Sequence, residues 1–99
     1  MKTKYIRFST FREWFNHLCD AIEGGRRISV INYNAFEAED SDDDYLLFYN
    51  DESEYPIRDI LVMLINTYGD NIYVESGIDY FEDDNEYIPY KYLNVCSED

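Results

Sequence analysis

The sequence predicts an α+β domain. Two amphipathic helices pack on an antiparallel sheet of four to five strands, in the order α-β-β-α-β-β, with a candidate extra strand at the N-terminus. Three observations lead there. Two segments repeat apolar residues at helical spacing and end on glycine. Four others are rich in β-branched and aromatic residues. Short acidic or turn-forming stretches join those four in pairs, as hairpins do. At 99 residues the chain makes a single domain over 1–99, too short for two independent cores.

Residues 4–8 (KYIRF) alternate polar and apolar, the pattern of a short strand. Thr10 stands three residues before Glu13, a capping-box spacing, with Ser9 as a rival cap. Phe11, Trp14, Phe15, Leu18, Cys19 and Ile22 then follow one face of a 3.6-residue period. Gly24 and Gly25 supply the C-terminal stop, and Arg26 and Arg27 lie where the helix dipole favours positive charge. Residues 27–36 and 44–50 read as strands, with the acid-rich run 37–43 as the hairpin loop between them.

Pro56 opens the second helix, where its missing N–H costs nothing. Ile57, Ile60, Leu61, Leu64, Ile65 and Tyr68 form its apolar stripe. Val62 and Met63 widen that stripe, which predicts the more buried of the two helices, and Gly69 ends it. NIYVESGIDYF and YIPYKYLNV close the chain as a second hairpin around EDDNE, and Pro89 marks an edge or a bulge in the last strand.

Charge is the outlying property: 22 acids against 8 bases leave −14. Six of the bases (Lys2, Lys4, Arg7, Arg12, Arg26, Arg27) precede residue 28, so the first 27 residues carry +3 and the rest −17. Such a surface repels duplex nucleic acid and anionic lipid and attracts a basic protein. High aromatic content, 18%, argues against a disordered acidic tail. No apolar run is long enough to span a membrane and no secretory pattern opens the chain, so a cytoplasmic location is expected, in a host cell if the gene belongs to a phage. Cys19 and Cys96 lack metal or redox spacing and read as free thiols.

No catalytic constellation emerges, so the chain is not expected to be an enzyme. The one histidine, His17, falls beside the apolar stripe of the first helix, exposed or flanking, with no placed Cys or Ser partner. No glycine-rich phosphate loop occurs, and no cofactor is implied. Asp40, Asp42, Asp44 and Asp51 fit ligand positions of a calcium loop, but Tyr45 stands where that loop needs glycine and Asp51 where it needs a bidentate Glu, so no metal site is expected.

The acids fall in three blocks: Glu37, Glu39, Asp40, Asp42, Asp43 and Asp44; then Asp51, Glu52 and Glu54; then Glu82, Asp83, Asp84 and Glu86. Tyr45, Tyr49, Tyr80 and Tyr87 border them, and tyrosine is a frequent interface residue. These seventeen residues are the expected partner-binding set. Two like charges at alternate strand positions repel by roughly 0.6 kcal/mol in water, so thirteen clustered acids cost on the order of a domain's whole net stability. A cost of that size implies a use. Strands would hold carboxylates at a phosphate-like interval for a basic partner.

In size, acidity, aromatic content and lack of catalytic residues the chain resembles the small DNA-mimic inhibitors of phages and mobile elements, which include anti-restriction, anti-CRISPR and uracil-DNA glycosylase inhibitors. The resemblance is one of composition and carries no residue role. It implies occupation of the basic DNA- or RNA-binding groove of a host defence or DNA-processing protein, with no direct contact to nucleic acid. The alternatives are an immunity protein or antitoxin covering the active site of a basic toxin enzyme, and an interaction module without mimicry. Monomer and homodimer both remain open.

Overall fold

The computed structural model describes residues 4–33, 35–41, 45–50 and 56–97, with only the backbone of Asn50. The elements run β1 (Lys4–Arg7), α1 (Phe11–Glu23), β2 (Ile28–Tyr33), β3 (Glu37–Asp40), β4 (Tyr45–Asn50), α2 (Ile57–Tyr68), a 3-10 turn (Gly69–Asn71), β5 (Ile72–Asp83) and β6 (Glu86–Ser97). The class is α+β, as the pattern predicts, with two helices on one sheet.

The helix signals work as read. Thr10 caps α1 by accepting the Glu13 N–H through its side chain, while the Glu13 carboxylate accepts the Ser9 N–H. At the other end Gly25 takes φ 79°, and the N–H groups of Gly25 and Arg26 return to the carbonyls of Ile22 and Ala21. That pair of bonds is the Schellman stop. Gly69 closes α2 at φ 59°.

The sheet departs from the expectation. It has six strands in the order β1-β3-β4-β2-β6-β5 and is mixed, because β2 and β4 run parallel. The acid-rich 37–43 run is not a hairpin loop: its first four residues are β3, which pairs antiparallel with both β1 and β4. The chain therefore leaves β2 at Tyr33 rather than at residue 36, passes over to β3, and returns through β4 into the gap. The apolar run Tyr45–Tyr49 suits that position, since a strand with neighbours on both sides and a parallel partner is buried more continuously than an edge strand. This placement also bears on the calcium loop, whose second half would require Tyr45–Asn50 to leave the middle of the sheet.

The core lies between the helices and one face of the sheet. Trp14, Leu18, Ala21 and Ile22 of α1 and Ile60 and Leu64 of α2 pack on Ile28, Val30, Leu47, Leu93 and Val95. The first helix, not the second, is the more buried. Ile65 is 49% exposed and Val62 51%, so the wide apolar stripe of α2 overruns its contact with the sheet. Among the described residues the opposite sheet face carries no helix. It shows Tyr5, Tyr33 and Tyr73 to solvent, with Ile31, Leu46, Phe48 and Tyr92 half-buried between them.

The second hairpin forms as predicted and is longer than expected, its strands running through most of the EDDNE stretch. Asp84 and Asn85, at φ 46° and 68°, make a two-residue turn of the left-handed type that matches strand twist.

Candidate functional site

Beyond its first residues the last hairpin leaves the sheet. Strand β6 pairs with β2 only over Tyr92–Val95, while its ladder with β5 continues to Glu86. At the point of departure the Asn32 side-chain oxygen accepts the Lys91 N–H at 2.8 Å, replacing the strand partner that has ended. Gly77 and Tyr92 are directly opposed there, and the Tyr92 ring lies across Gly77. Residues 78–91 form a two-stranded arm reaching about 20 Å past this junction, at roughly 3.4 Å per residue. Pro89 falls on this stretch, where β6 has a neighbour on one side only.

The arm carries the third acid block at its tip. Glu82, Asp83, Asp84 and Glu86 are all exposed, and among the described residues none of them has an ion-pair partner. Tyr80 and Tyr87, 58% and 69% exposed, flank the block. Six of the predicted partner-binding residues are thus brought together: Tyr80, Glu82, Asp83, Asp84, Glu86 and Tyr87.

The first block meets a different fate. Glu37 is 7% exposed and accepts from Arg7 Nε at 3.2 Å. The Tyr5 phenol joins them: its bond to Glu37 holds its proton more tightly than usual, and the bond that Arg7 donates to the Tyr5 oxygen, together with the Glu37 charge, does the same for the Arg7 guanidinium. Asp40 accepts from Arg26 at 2.7 Å, which holds its carboxyl below the ordinary carboxylate range. Glu39 is half-buried on the same strand. Tyr45 and Tyr49, at 6% and 1% exposure, belong to the core, which corrects their assignment to a partner surface. Their alternate positions on β4 point them at the helices. Asp42, Asp43, Asp44, Asp51, Glu52 and Glu54 lie outside the described residues.

Of its two expected places, exposed or flanking, His17 takes the flanking one. It is half-buried between Phe8 and Tyr45, with ring centroids at 5.0 and 5.6 Å, and is hydrogen-bonded to the Tyr45 hydroxyl. Burial lowers its proton affinity, against the opposing pull of Asp20 and Asp40. Arg26 lies 4.6 Å from the centre of the Tyr45 ring while it holds Asp40. His17, Tyr45, Arg26 and Asp40 form one chain of contacts that fastens α1 to β4 and β3. Each is engaged by the others, which suits a clamp better than acid–base work.

A shallow depression on the open sheet face is lined by Arg27, Ser29, Tyr73, Glu75, Asn94 and Cys96, among others. Cys96 there has no histidine beside it, since His17 is held by Tyr45. Among the described residues no group of three or more His, Cys, Asp or Glu is arranged to hold a metal ion, and no helix is long and apolar enough to cross a membrane.

The sequence reading missed two sets of residues. Arg7 and Arg26 neutralise acids distant in sequence. Their signal was present in the basic bias of the first 27 residues, but not their partners. Ile78, Phe81, Ile88 and Tyr90 give the arm apolar side chains on both faces, and the signal was that neither parity of these strands is wholly polar. Comparison with known proteins found no matching family, no similar curated sequence and no similar solved structure.

Proposed function

We propose that this protein is an acidic inhibitor that presents carboxylates in place of nucleic-acid phosphates and occupies the basic DNA- or RNA-binding groove of a defence or DNA-processing protein. The observation that carries this reading is the tip of the β5–β6 arm, with four exposed carboxylates on a tight turn and no cation to balance them among the described residues. Charge held for solubility alone is better dispersed, because clustering adds repulsion. Here Glu37 and Asp40 of the packed part of the sheet are paired with arginine, while the four tip acids of the projecting arm, unpaired among the described residues, are left for a partner's Lys and Arg. The ladder and the turn hold them in place before binding, so little conformational freedom is lost on contact.

The test is exclusivity. A target isolated by affinity purification from the native host is expected to bind this protein or its nucleic acid, never both, with an affinity that falls as salt rises, mainly through slower association. A ternary complex in which the target holds both at undiminished affinity overturns the proposal.

A further inference from the structure

The arm is apolar as well as acidic, and that combination narrows the kind of groove it fits. Ile78, Tyr80, Phe81, Tyr87 and Ile88 are between 41% and 69% exposed. They do not share one face. Ile78, Tyr80 and Tyr87 lie on one side of the ribbon, and Phe81 and Ile88 on the other, where Phe81 stacks on Tyr90 at 4.3 Å between ring centroids. A two-stranded ribbon standing alone in water is marginal. One with large apolar side chains uncovered on both faces marks an interaction surface. Each face also carries carboxylates: Glu82 beside Tyr80 and Tyr87, and Asp79, Asp83 and Glu86 beside Phe81, Ile88 and Tyr90.

A groove built for duplex nucleic acid meets phosphates, sugars and base edges, because the ring faces of the bases are stacked inside the helix. A protein imitating a duplex needs charge and little exposed ring. Grooves for single strands differ. They combine cations that follow the backbone with apolar and aromatic platforms on which unstacked bases lie. An element that alternates carboxylates with exposed rings on both faces matches the second chemistry and not the first.

We infer that the β5–β6 arm is the docking element and that it inserts into a basic, aromatic-lined groove that otherwise holds single-stranded nucleic acid, its carboxylates replacing phosphates and its rings replacing bases. This deepens the proposed function and rests on it. Tyr80 and Tyr87 supply the stacking, the tip acids the pairing with Lys and Arg, and the open turn leads the ribbon in.

Photo-crosslinking separates the possibilities. p-Benzoylphenylalanine is introduced at Tyr87 on the arm, and in a second protein at Tyr33 on the open sheet face. Each is irradiated in extract of the native host with a mixed-sequence oligonucleotide, in DNA and in RNA form, either single-stranded or annealed to its complement. The expected result is a product from the Tyr87 position that the single strand suppresses at a concentration where the duplex leaves it intact. Removing the rings while keeping the acids, by Tyr80→Ser with Tyr87→Ser, is expected to weaken binding to the crosslinked protein ten-fold or more, and Tyr33→Ser to leave it unchanged. Suppression by the duplex as strong as by the single strand overturns the inference and leaves the inhibitor reading standing. A product formed from Tyr33 and none from Tyr87 overturns the arm as docking element. A Tyr87 product that none of the oligonucleotides suppresses overturns the inhibitor reading, and this inference with it.

Discussion

Two parts of the sheet carry acids at similar density and treat them in opposite ways. At the β1-β3-β4 side, Glu37 and Asp40 are drawn against Arg7 and Arg26. At the other edge, the β5–β6 arm holds Glu82, Asp83, Asp84 and Glu86 in solvent, unpaired among the described residues. The difference teaches what the basic N-terminal segment does. Arg7 and Arg26 come from the first 27 residues, whose charge is +3, and both fold onto β3. Two of that segment's bases thus offset acids that the fold packs, and neither is paired with an acid of the arm. Part of the charge is thus engaged within the fold, whereas the four acids of the arm tip have no ion-pair partner among the described residues.

The largest expected effect tests the packed part. Trp14 is fully buried, with its ring near Phe11, Tyr49 and Phe36. Trp14→Ala is expected to cost about 3–5 kcal/mol, a large share of a small domain's net stability. Tyr87→Ala on the arm, at an exposed position, is expected to stay within about 0.5 kcal/mol of the parent. Thermal unfolding of the two variants checks both, and equal melting temperatures would contradict the division of the molecule into a core and an arm.

Next in size is binding. Asp83→Lys with Glu86→Lys places cations on the arm tip and is expected to lose ten-fold or more in affinity for a target, since breaking engaged charge pairs costs about 2–5 kcal/mol. Its melting temperature is expected to hold or rise as self-repulsion falls. Asp70→Lys, in the exposed turn after α2, serves as the control. Glu13, an acid on the exposed side of α1, is unsuited to that role because its carboxylate takes part in the α1 cap. Glu37→Lys inverts the pattern. It sets a cation against Arg7 at a buried position, so it is expected to lower the melting temperature by several degrees and to change affinity little beyond that loss. If Glu37→Lys harms binding while the arm reversal is silent, the assignment of the two acid groups is reversed.

Smaller effects follow from His17. Its folded-state proton affinity is lowered by burial, so the unfolded chain binds the proton more readily. Stability from this site is fully present above the ordinary imidazole range and is lost as pH falls from that range toward the depressed folded value. Asp40 behaves alike at lower pH: its carboxyl is depressed by Arg26, and its contribution is lost as pH falls below the ordinary carboxylate range. His17→Gln isolates the imidazole. Relative to the parent, its stability is expected to be constant above neutrality and to gain as pH drops through the imidazole range, read by denaturant unfolding at a series of pH values. A difference that is flat throughout would mean that the half-buried ring is solvated in the folded state.

Much of the fold was legible because its signals are local. The cap at Thr10, the glycine stops at Gly25 and Gly69, and the Asp84-Asn85 turn each act within a few residues. What was illegible depends on contacts distant in sequence. The segment Glu-Ala-Glu-Asp at 37–40 has one apolar residue and looks like loop, and becomes a strand because β1, β4 and two arginines supply what it lacks. The parallel pairing of β2 with β4 leaves no mark on either strand that a hairpin would not leave. For the site, the acid block and the flanking tyrosines of the arm were visible in composition, whereas Tyr45 and Tyr49 bordered acids in sequence and pointed inward in the sheet. Periodicity along β4 assigns faces, but which face is buried depends on where the helices land.

The smallest expected effect sharpens the boundary between arm and sheet. A Cβ built on Gly77 would lie 2.6 Å from the Tyr92 hydroxyl oxygen and 2.8 Å from the adjoining ring carbon. Gly77→Ala therefore obliges the Tyr92 ring to swing off the strand. The ring end of a tyrosine is free to move, so the steric cost is modest. It is offset by the loss of unfolded-state freedom on replacing glycine, worth about 0.4–1 kcal/mol where the backbone conformation is compatible. Gly77 is not at positive φ, so that condition is met. Global stability is thus expected to change little. What changes is the junction, where the ring bridges β5 and β6 at the last residue of β6 that pairs with β2. With the ring displaced, amides of residues 78–91 are expected to exchange faster in hydrogen-exchange measurements, while those of Ile28–Tyr33 keep the protection of the parent. Units that open separately in this way mark the low-stability end of a structure, from which binding elements are drawn. Faster exchange spread evenly over the whole sheet would instead join the arm to the core as one cooperative unit and remove the physical basis for treating it as a separate docking element.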